Sequence, residues 1–230
     1  RAMGDRWFGG MTRNPWDVPQ GSSGSSAGSA SATAAGLVGF AIGSETLGSI
    51  VSPSRRCGTS ALRPTFGRVS RAGCMPLSWT MDKIGPITRS IQDCALVLAA
   101  IHGPDGVDRT VVDREFSWPV DLDFAEMRIG YTGRRRRGDG DEDSLPPVAA
   151  MLKSMGATVE EIQLPSELPV RAMTSVLDVE SASMFEELTN RHETGAAAAG
   201  AGRRSARPVE GQRIASSADV LDTLSYSCCV

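Results

Sequence analysis

A run of small residues near the start of the chain passes directly into an apolar stretch. Residues 21–36 are almost entirely Gly, Ser, Ala and Thr, and the apolar residues 37–42 follow without an intervening charge. A flexible linker of this composition does not usually lead straight into a buried segment. The pattern therefore predicts a packed helix of small residues over 26–35 and a buried strand over 37–42.

A second pattern sets the fold class. Residues 127–131 and 157–164 have the composition of strands, and residues 147–155 between them have that of a helix. A strand, a helix and a second strand in this order are typical of a βαβ unit. The sequence therefore predicts an α/β protein.

The remaining segments have patterns typical of either loops or helices. Residues 43–88 are predicted to form mostly loops and short strands, because four prolines interrupt them. Ser90 and Asp93 form a capping-box pattern, and the apolar stripe that follows at helical spacing stops before Gly103. This predicts a helix from 91 to 101. A block of arginines followed by acidic residues, 134–143, is predicted to be a solvated loop.

Charge and hydropathy exclude several function classes. The net charge of −3 gives no electrostatic reason to expect a directly bound nucleic acid. No apolar run is long enough to span a membrane, and no signal peptide is recognisable. The five cysteines lack the spacing of a zinc site. We therefore expect a cytoplasmic protein with free thiols, no metal and no membrane contact.

The composition changes abruptly near residue 191. Residues 1–191 are predicted to form one folded domain. Residues 192–230 are of low complexity and are predicted to be a disordered tail or a segment outside the native reading frame. The chain begins with Arg1 inside a segment whose composition predicts order, so we expect a fragment of a longer protein.

Two serine-rich segments are the candidates for chemistry. The first is Gly24-Ser25-Ser26, and the second is the glycine-flanked segment from 43 to 50, which contains Ser49. A nucleophilic hydroxyl needs a base for its proton and donors for the developing oxyanion. Because the chain has only two histidines, the serine pair favours a Ser-Ser-Lys relay.

A histidine base remains an alternative. His102 stands near Asp105 and Asp108, so a Ser-His-Asp triad is conceivable. However, a histidine at the C-terminal end of a helix is more often a surface residue that compensates the helix dipole.

Several sequence blocks together resemble the amidase signature family. The similarity is strong from about residue 14 to 108 and weaker to about 190. The blocks that carry it are Asn14-Pro15-Trp16, Gly24-Ser25-Ser26-Ala27-Gly28-Ser29, Gly43-Ser44-Glu45-Thr46-Leu47-Gly48-Ser49-Ile50, Cys57-Gly58, the segment Leu62-Arg63-Pro64-Thr65-Phe66-Gly67-Arg68-Val69-Ser70, and Asp82-Lys83-Ile84-Gly85-Pro86-Ile87-Thr88-Arg89-Ser90 with Asp93. The resemblance implies a partial amidase-signature fold, with a mixed β-sheet core covered by α-helices.

The resemblance also implies the roles of the two serines. Ser49 is expected to be the nucleophile that forms an acyl-enzyme. Ser25 is expected to be the bridging serine, held by a cis peptide bond, that passes the proton to a neutral lysine.

The remaining site residues are implied in the same way. The backbone amides of Thr46, Leu47 and Gly48 are expected to form the oxyanion hole, and Ser26 is expected to support the loop by hydrogen bonding. No metal or cofactor is implied.

The chain departs from the family pattern at several positions. The family usually has Asp where Glu45 stands, Gly at Leu47 and Arg at Val51. The family lysine lies upstream of the serines, in a segment that this chain does not contain. Neither Lys83, which matches a downstream family position, nor Lys153 can be equated with it.

The resemblance implies hydrolysis of a carboxamide in a small-molecule substrate, and we expect the chain to be inactive on its own without the lysine. One alternative is the glutamine-hydrolysing component of a tRNA-dependent amidotransferase, which would act with partner subunits. Another is a pseudo-amidase domain retained for binding. Partner subunits or a homo-oligomer are compatible with the resemblance, and the amidotransferase alternative implies partner subunits.

Overall fold

The computed structural model describes residues 4–7, 9–118, 123–132, 147–163, 165, 167 and 169–187. These residues fall into two compact units, one from Arg1–Trp118 and Ala172–Val230 and the other from Pro119–Arg171. The predicted loop at 134–143 and the predicted tail at 192–230 lie outside the described residues. No helix in the described part of the chain is long and apolar enough to cross a membrane.

The first unit opens with two short antiparallel hairpins and continues as helices around a small sheet. Its elements are β1 (Arg6–Trp7), β2 (Gly10–Met11), β3 (Arg13–Asn14), β4 (Asp17–Gly21), α1 (Ala27–Ala34), β5 (Phe40–Glu45), α2 (Val51–Cys57), β6 (Ser60–Ala61), β7 (Lys83–Thr88) and α3 (Ile91–Ile101). The last described helix, α5 (Val170–Met184), belongs to this unit from Ala172 onward.

The sheet of this unit has the antiparallel order β5-β7-β6. The β5–β7 ladder runs from Phe40 opposite Thr88 to Glu45 opposite Lys83. Four fully buried apolar residues form a core cluster against it. They are Ala30 of α1, Ile50 and Cys57 at the start and end of α2, and Ile87 of the central strand β7. The register therefore places the end of β5 beside the start of β7, on the edge where the second serine segment begins.

Helix α1 confirms the predicted helix of small residues, and its Ala30 is fully buried. The strand that follows differs from the prediction. It begins at Phe40 rather than at residue 37, and its first half is exposed, with Phe40 53% accessible. Two causes account for the shift. Gly36 adopts a positive φ that ends the helix in a turn, and β5 pairs only with β7 among the described strands.

Residues 43–88, predicted to be mostly loops and short strands, also contain helix α2, which the sequence analysis does not single out. Pro53 lies in its first turn, where the missing N–H has no intrahelical partner to lose. Helix α3 is confirmed. Its N-cap Ser90 accepts a hydrogen bond from the Asp93 N–H at 3.1 Å, and Cys94, Ala95 and Leu98 are buried.

The second unit confirms the predicted βαβ pattern. After a 3₁₀ turn at Phe124–Glu126 come β8 (Arg128–Tyr131), α4 (Pro147–Ser154) and β9 (Thr158–Glu161), and the two strands pair in parallel. The chain therefore has the predicted α/β fold class.

Candidate active site

The first serine segment lies between β4 and α1. The peptide bond between Gly24 and Ser25 is cis. Ser23 has a positive φ of 63° and donates its N–H to Asp5 Oδ2 at 3.2 Å. Gly24 also lies very close to the backbone of Gly4, so this serine loop is built around the N-terminal residues 4 and 5.

The second serine segment is the turn between β5 and α2. Thr46 is buried, Leu47 is exposed, and Gly48 adopts a φ of +99° that disfavours any side chain. Ser49 follows Gly48 and directly precedes Ile50, the N-cap of α2. A left-handed residue immediately before the serine thus turns the chain sharply out of the strand and into the helix.

Ser26 joins the two segments. Its N–H donates to Ser49 O at 3.0 Å. Its hydroxyl donates to Ser44 O at 3.1 Å and accepts from the Ser44 N–H at 3.2 Å. A Cβ at Gly43 would approach the Ser26 hydroxyl to 2.9 Å, so a glycine there leaves room for this contact. Ser25 and Ser49 therefore belong to two segments that are hydrogen-bonded to each other, and both are half-buried.

Glu45 organises the start of α2 from within the site. The residue is 1% exposed, and its carboxylate accepts from the N–H groups of Ile50 at 2.8 Å and Val51 at 2.9 Å, while Arg63 donates to its other oxygen at 3.1 Å. Burial raises the pKa of Glu45, but the hydrogen bonds from Val51, Ile50 and Arg63 outweigh it and hold the pKa below 4.5.

No role for Glu45 follows from the sequence alone. The available signal is an acidic residue shortly before a helix, where a carboxylate can bind the unpaired N–H groups of the first turn. Because α2 has no clear pattern of its own in the sequence, this signal cannot be recognised before the structure is known.

The C-terminal end of α2 is held by the Asn14-Pro15-Trp16 block. Trp16 Nε1 donates to Cys57 O at 2.8 Å, and Asn14 Nδ2 donates to Arg56 O at 3.0 Å. Gly58 ends the helix in the left-handed conformation. Both ends of the helix that follows Ser49 are thus fixed by residues outside it.

Lys83 lies beside the second serine segment. Its Nζ donates to Thr46 O at 3.2 Å and also to Met81 O. Burial lowers the pKa of Lys83 from its ordinary value, and the nearby Glu45 charge acts in the opposite direction. The other lysine, Lys153, lies on α4 in the second unit.

The structure does not assemble a triad around His102. Within the described residues its buried Nδ1 has no hydrogen-bond partner, and its ring lies edge-on to Phe116 with centroids 5.8 Å apart. Asp105 instead accepts from the Ser70 hydroxyl at 2.5 Å, and Asp108 pairs with the Arg71 guanidinium at 3.3 Å. Among the described residues no group of three or more His, Cys, Asp or Glu side chains could hold a metal ion.

Comparison with known proteins places this geometry in a family. The model of the Amidase family matches residues 3–215. The A-type subunit of glutamyl-tRNA(Gln) amidotransferase from Staphylococcus epidermidis is 43% identical over 162 residues, which are 67% of this chain and 33% of that protein. The protein of the same name from Moorella thermoacetica is 40% identical over 180 residues, 75% of this chain and 37% of that protein.

Solved structures agree with this assignment. The peptide amidase from Stenotrophomonas maltophilia superposes with a TM-score of 0.63 at 34% identity, covering 80% of this chain and 40% of that one. The A-type subunit of the amidotransferase from Thermotoga maritima superposes with a TM-score of 0.62 at 30% identity, covering 82% and 44%. The chain thus spans about a third of the length of the curated relatives it matches (33% of the first). With the family model matching most of its length, the chain belongs to the amidase signature family.

Proposed function

We propose that this chain carries the serine part of an amidase centre, with Ser49 as the nucleophile and Ser25 as the bridging proton carrier. The observation that supports this most directly is the set of hydrogen bonds through Ser26, which hold the two serine segments together. Family membership supports the same roles, because the relatives include a peptide amidase and amidotransferase subunits.

In the proposed reaction, Ser49 Oγ attacks the carbonyl carbon of a carboxamide while its proton passes to Ser25. The N–H groups of Thr46, Leu47 and Gly48 stabilise the negative charge on the carbonyl oxygen. The C–N bond then breaks, and the nitrogen leaves with a proton as an amine or ammonia. Water cleaves the resulting ester, releasing a carboxylic acid and restoring the Ser49 hydroxyl.

The terminal base is the part of the relay that the serine segments do not supply. Lys83 matches a family position downstream of the serines, not the upstream position of the family base, and its Nζ is engaged with the backbone carbonyls of Thr46 and Met81. Lys153 lies on α4, outside both serine segments and at no family position of the base. We therefore propose that neither lysine is the base and that the chain alone reacts slowly or not at all, because loss of one member of such a unit costs several orders of magnitude in rate.

A second candidate function is favoured by the curated relatives. The similar proteins from Staphylococcus epidermidis and Moorella thermoacetica are A-type subunits of glutamyl-tRNA(Gln) amidotransferases. In that case the substrate is glutamine, the released ammonia passes to another reaction, and the chain works with partner subunits. Ammonia release from glutamine that rises on adding those subunits would favour this candidate over a free-standing amidase.

Labelling by a fluorophosphonate, followed by intact mass, tests the proposal. Attack by Ser49 Oγ on phosphorus expels fluoride and leaves one stable adduct. We expect slow single labelling of the folded chain, no adduct in Ser49→Ala, and a rate lower by roughly 100-fold or more in Ser25→Ala, the effect of losing a proton-transfer group. Ser154→Ala on α4 is the matched control and should label like the parent chain.

Two results would count against the proposal. An adduct that persists in Ser49→Ala would place the nucleophile elsewhere. If no adduct forms even when the lysine-bearing upstream segment of a relative is fused to the chain, a non-catalytic binding domain becomes the better description.

A further inference from the structure

The turn that contains the proposed oxyanion donors is anchored through Thr46. The Thr46 hydroxyl donates to Asp82 Oδ1 at 2.6 Å, and the Thr46 carbonyl accepts from Lys83 Nζ at 3.2 Å. The β5–β7 ladder ends with Glu45 opposite Lys83, so Thr46 is the first residue beyond it. Asp82, which directly precedes β7, and Lys83, its first residue, thus extend the attachment of the turn to the sheet.

Asp82 is itself held in a fixed orientation. Its Oδ2 accepts the N–H groups of Leu77 at 2.7 Å and Ser78 at 2.9 Å, while Oδ1 serves Thr46. A carboxylate accepts at both oxygens, so Asp82 can bind the two backbone N–H groups and the Thr46 hydroxyl at the same time. An asparagine has only one acceptor oxygen, so if that oxygen keeps the two N–H groups, its neutral amide nitrogen faces Thr46 and the charge-assisted bond from the Thr46 hydroxyl is lost.

The turn that orients Asp82 is supported by a helix far along the chain. Glu180 on α5 is 4% exposed. Its Oε2 accepts from the Ser78 hydroxyl and, at 3.2 Å, from the Thr80 N–H, and its Oε1 accepts from the Thr80 hydroxyl at 2.7 Å. Burial raises the pKa of Glu180, but these hydrogen bonds outweigh it and hold the pKa below its ordinary value, so the acceptor is a carboxylate near neutral pH.

We propose that Asp82 is a positioning residue for the oxyanion donors and that Glu180 is its outer support. The series Glu180, Ser78, Asp82, Thr46 connects α5 to the turn at 46–48 by direct hydrogen bonds. Donors of this kind act only when they lie within a few tenths of an ångström of the position where charge develops. The catalytic consequence rests on the proposed function, whereas the anchoring of the turn does not.

Hydrogen exchange measured by mass spectrometry tests the anchoring without any activity. We expect Asp82→Asn and Thr46→Val to exchange roughly three- to tenfold faster in a peptide covering 46–51, the factor that corresponds to one net hydrogen bond. Thr46→Ser keeps the hydroxyl and should exchange like the parent chain. Asp113→Asn, a substitution at an exposed carboxylate, is the matched control.

Glu180→Gln tests whether Glu180 supports only the turn at 77–82 or also, through Asp82, the turn at 46–48. Faster exchange both at 77–82 and at 46–51 is the expected result. Faster exchange at 77–82 alone would remove Glu180 from the proposal, and unchanged exchange at 46–51 in both Asp82→Asn and Thr46→Val would overturn it. Thr46→Val serves as the milder variant if Asp82→Asn does not fold.

The fluorophosphonate reaction supplies the catalytic readout. A positioning role predicts that Thr46→Val lowers the rate of the bond-forming step with little change in the inhibitor concentration at half-saturation, and that Thr46→Ser restores that rate. An equal rate in Thr46→Val and the parent chain would overturn the catalytic part. If the parent chain does not label, the proposed function fails while the exchange experiment still decides the anchoring.

Discussion

Replacing Gly24 by alanine is expected to destabilise the chain by at least about 3 kcal/mol, the upper end for overpacking. A Cβ at this position would lie 2.1 Å from the carbonyl oxygen of Gly4, a backbone atom that cannot rotate away as a side chain can. The same loop is tied to the N-terminal residues by the bond from the Ser23 N–H to Asp5. The variant must therefore lose either the loop or its contact with residues 4 and 5.

Urea unfolding followed by circular dichroism measures this effect. Gly39→Ala is the matched control, because its Cβ would meet no atom within 4 Å, and it should change stability by no more than about 0.5 kcal/mol. A Gly24→Ala protein as stable as Gly39→Ala would show that residues 4 and 5 do not pack on the serine loop. Fluorophosphonate labelling of the same variant should also be lost, since Ser25 and Ser26 follow directly.

Replacing Glu45 by alanine is expected to cost about 2–4 kcal/mol, because two N–H groups at the start of α2 lose a buried charged acceptor. Glu45→Gln retains one oxygen for Ile50 and Val51 and should cost about half as much. Arg63→Ala is the control for the ion pair. Because the Arg63 side chain is 52% exposed, it should cost less than about 1 kcal/mol. Equal losses in Glu45→Ala and Arg63→Ala would mean that the ion pair, not the cap, carries the effect.

The lowered pKa of Glu45 predicts that the stability of the chain depends on pH. The pKa of Glu45 is lower in the folded chain than its ordinary value of 4.5. Its stabilising contribution is therefore complete above that value and is lost as the pH falls through the folded pKa. Urea midpoints measured from neutral pH into this acidic range should fall more steeply for the parent chain than for Glu45→Ala. Parallel profiles would show that Glu45 titrates as it does when unfolded.

The elements that the sequence predicts are those with a local signal. Helix α3 has both its cap at Ser90 and its apolar stripe within a dozen residues, and the βαβ unit has a strand, a helix and a strand in order. Helix α2 lacks such a signal. Its apolar positions are few, Pro53 suggests a break, and its N-terminal cap is the side chain of Glu45, which lies outside it.

In the candidate site, too, only features with a local sequence pattern are predicted. The two serine segments are recognisable because each is a distinctive block of residues, and their resemblance to a family pairs them. The side chains that hold these segments in place are not recognisable in the sequence, because each contacts a residue far away along the chain. Trp16 binds the end of α2, and Glu180 binds the turn before β7. The sequence around each residue contains no pattern that predicts these contacts.

The bonds from Ser78 and Thr80 to Glu180 have a consequence for the order of assembly. Because these partners are 102 and 100 residues apart, their contacts close far longer loops than the β5–β7 ladder does, and long loops close late. During synthesis the segments from Gly24 to Thr88 emerge first and can pair among themselves. The turn that orients Asp82 acquires its buried acceptor only once α5 has left the ribosome. In the proposed anchoring, the turn at 46–48 is therefore fully supported only after one of the last described parts of the chain has been made.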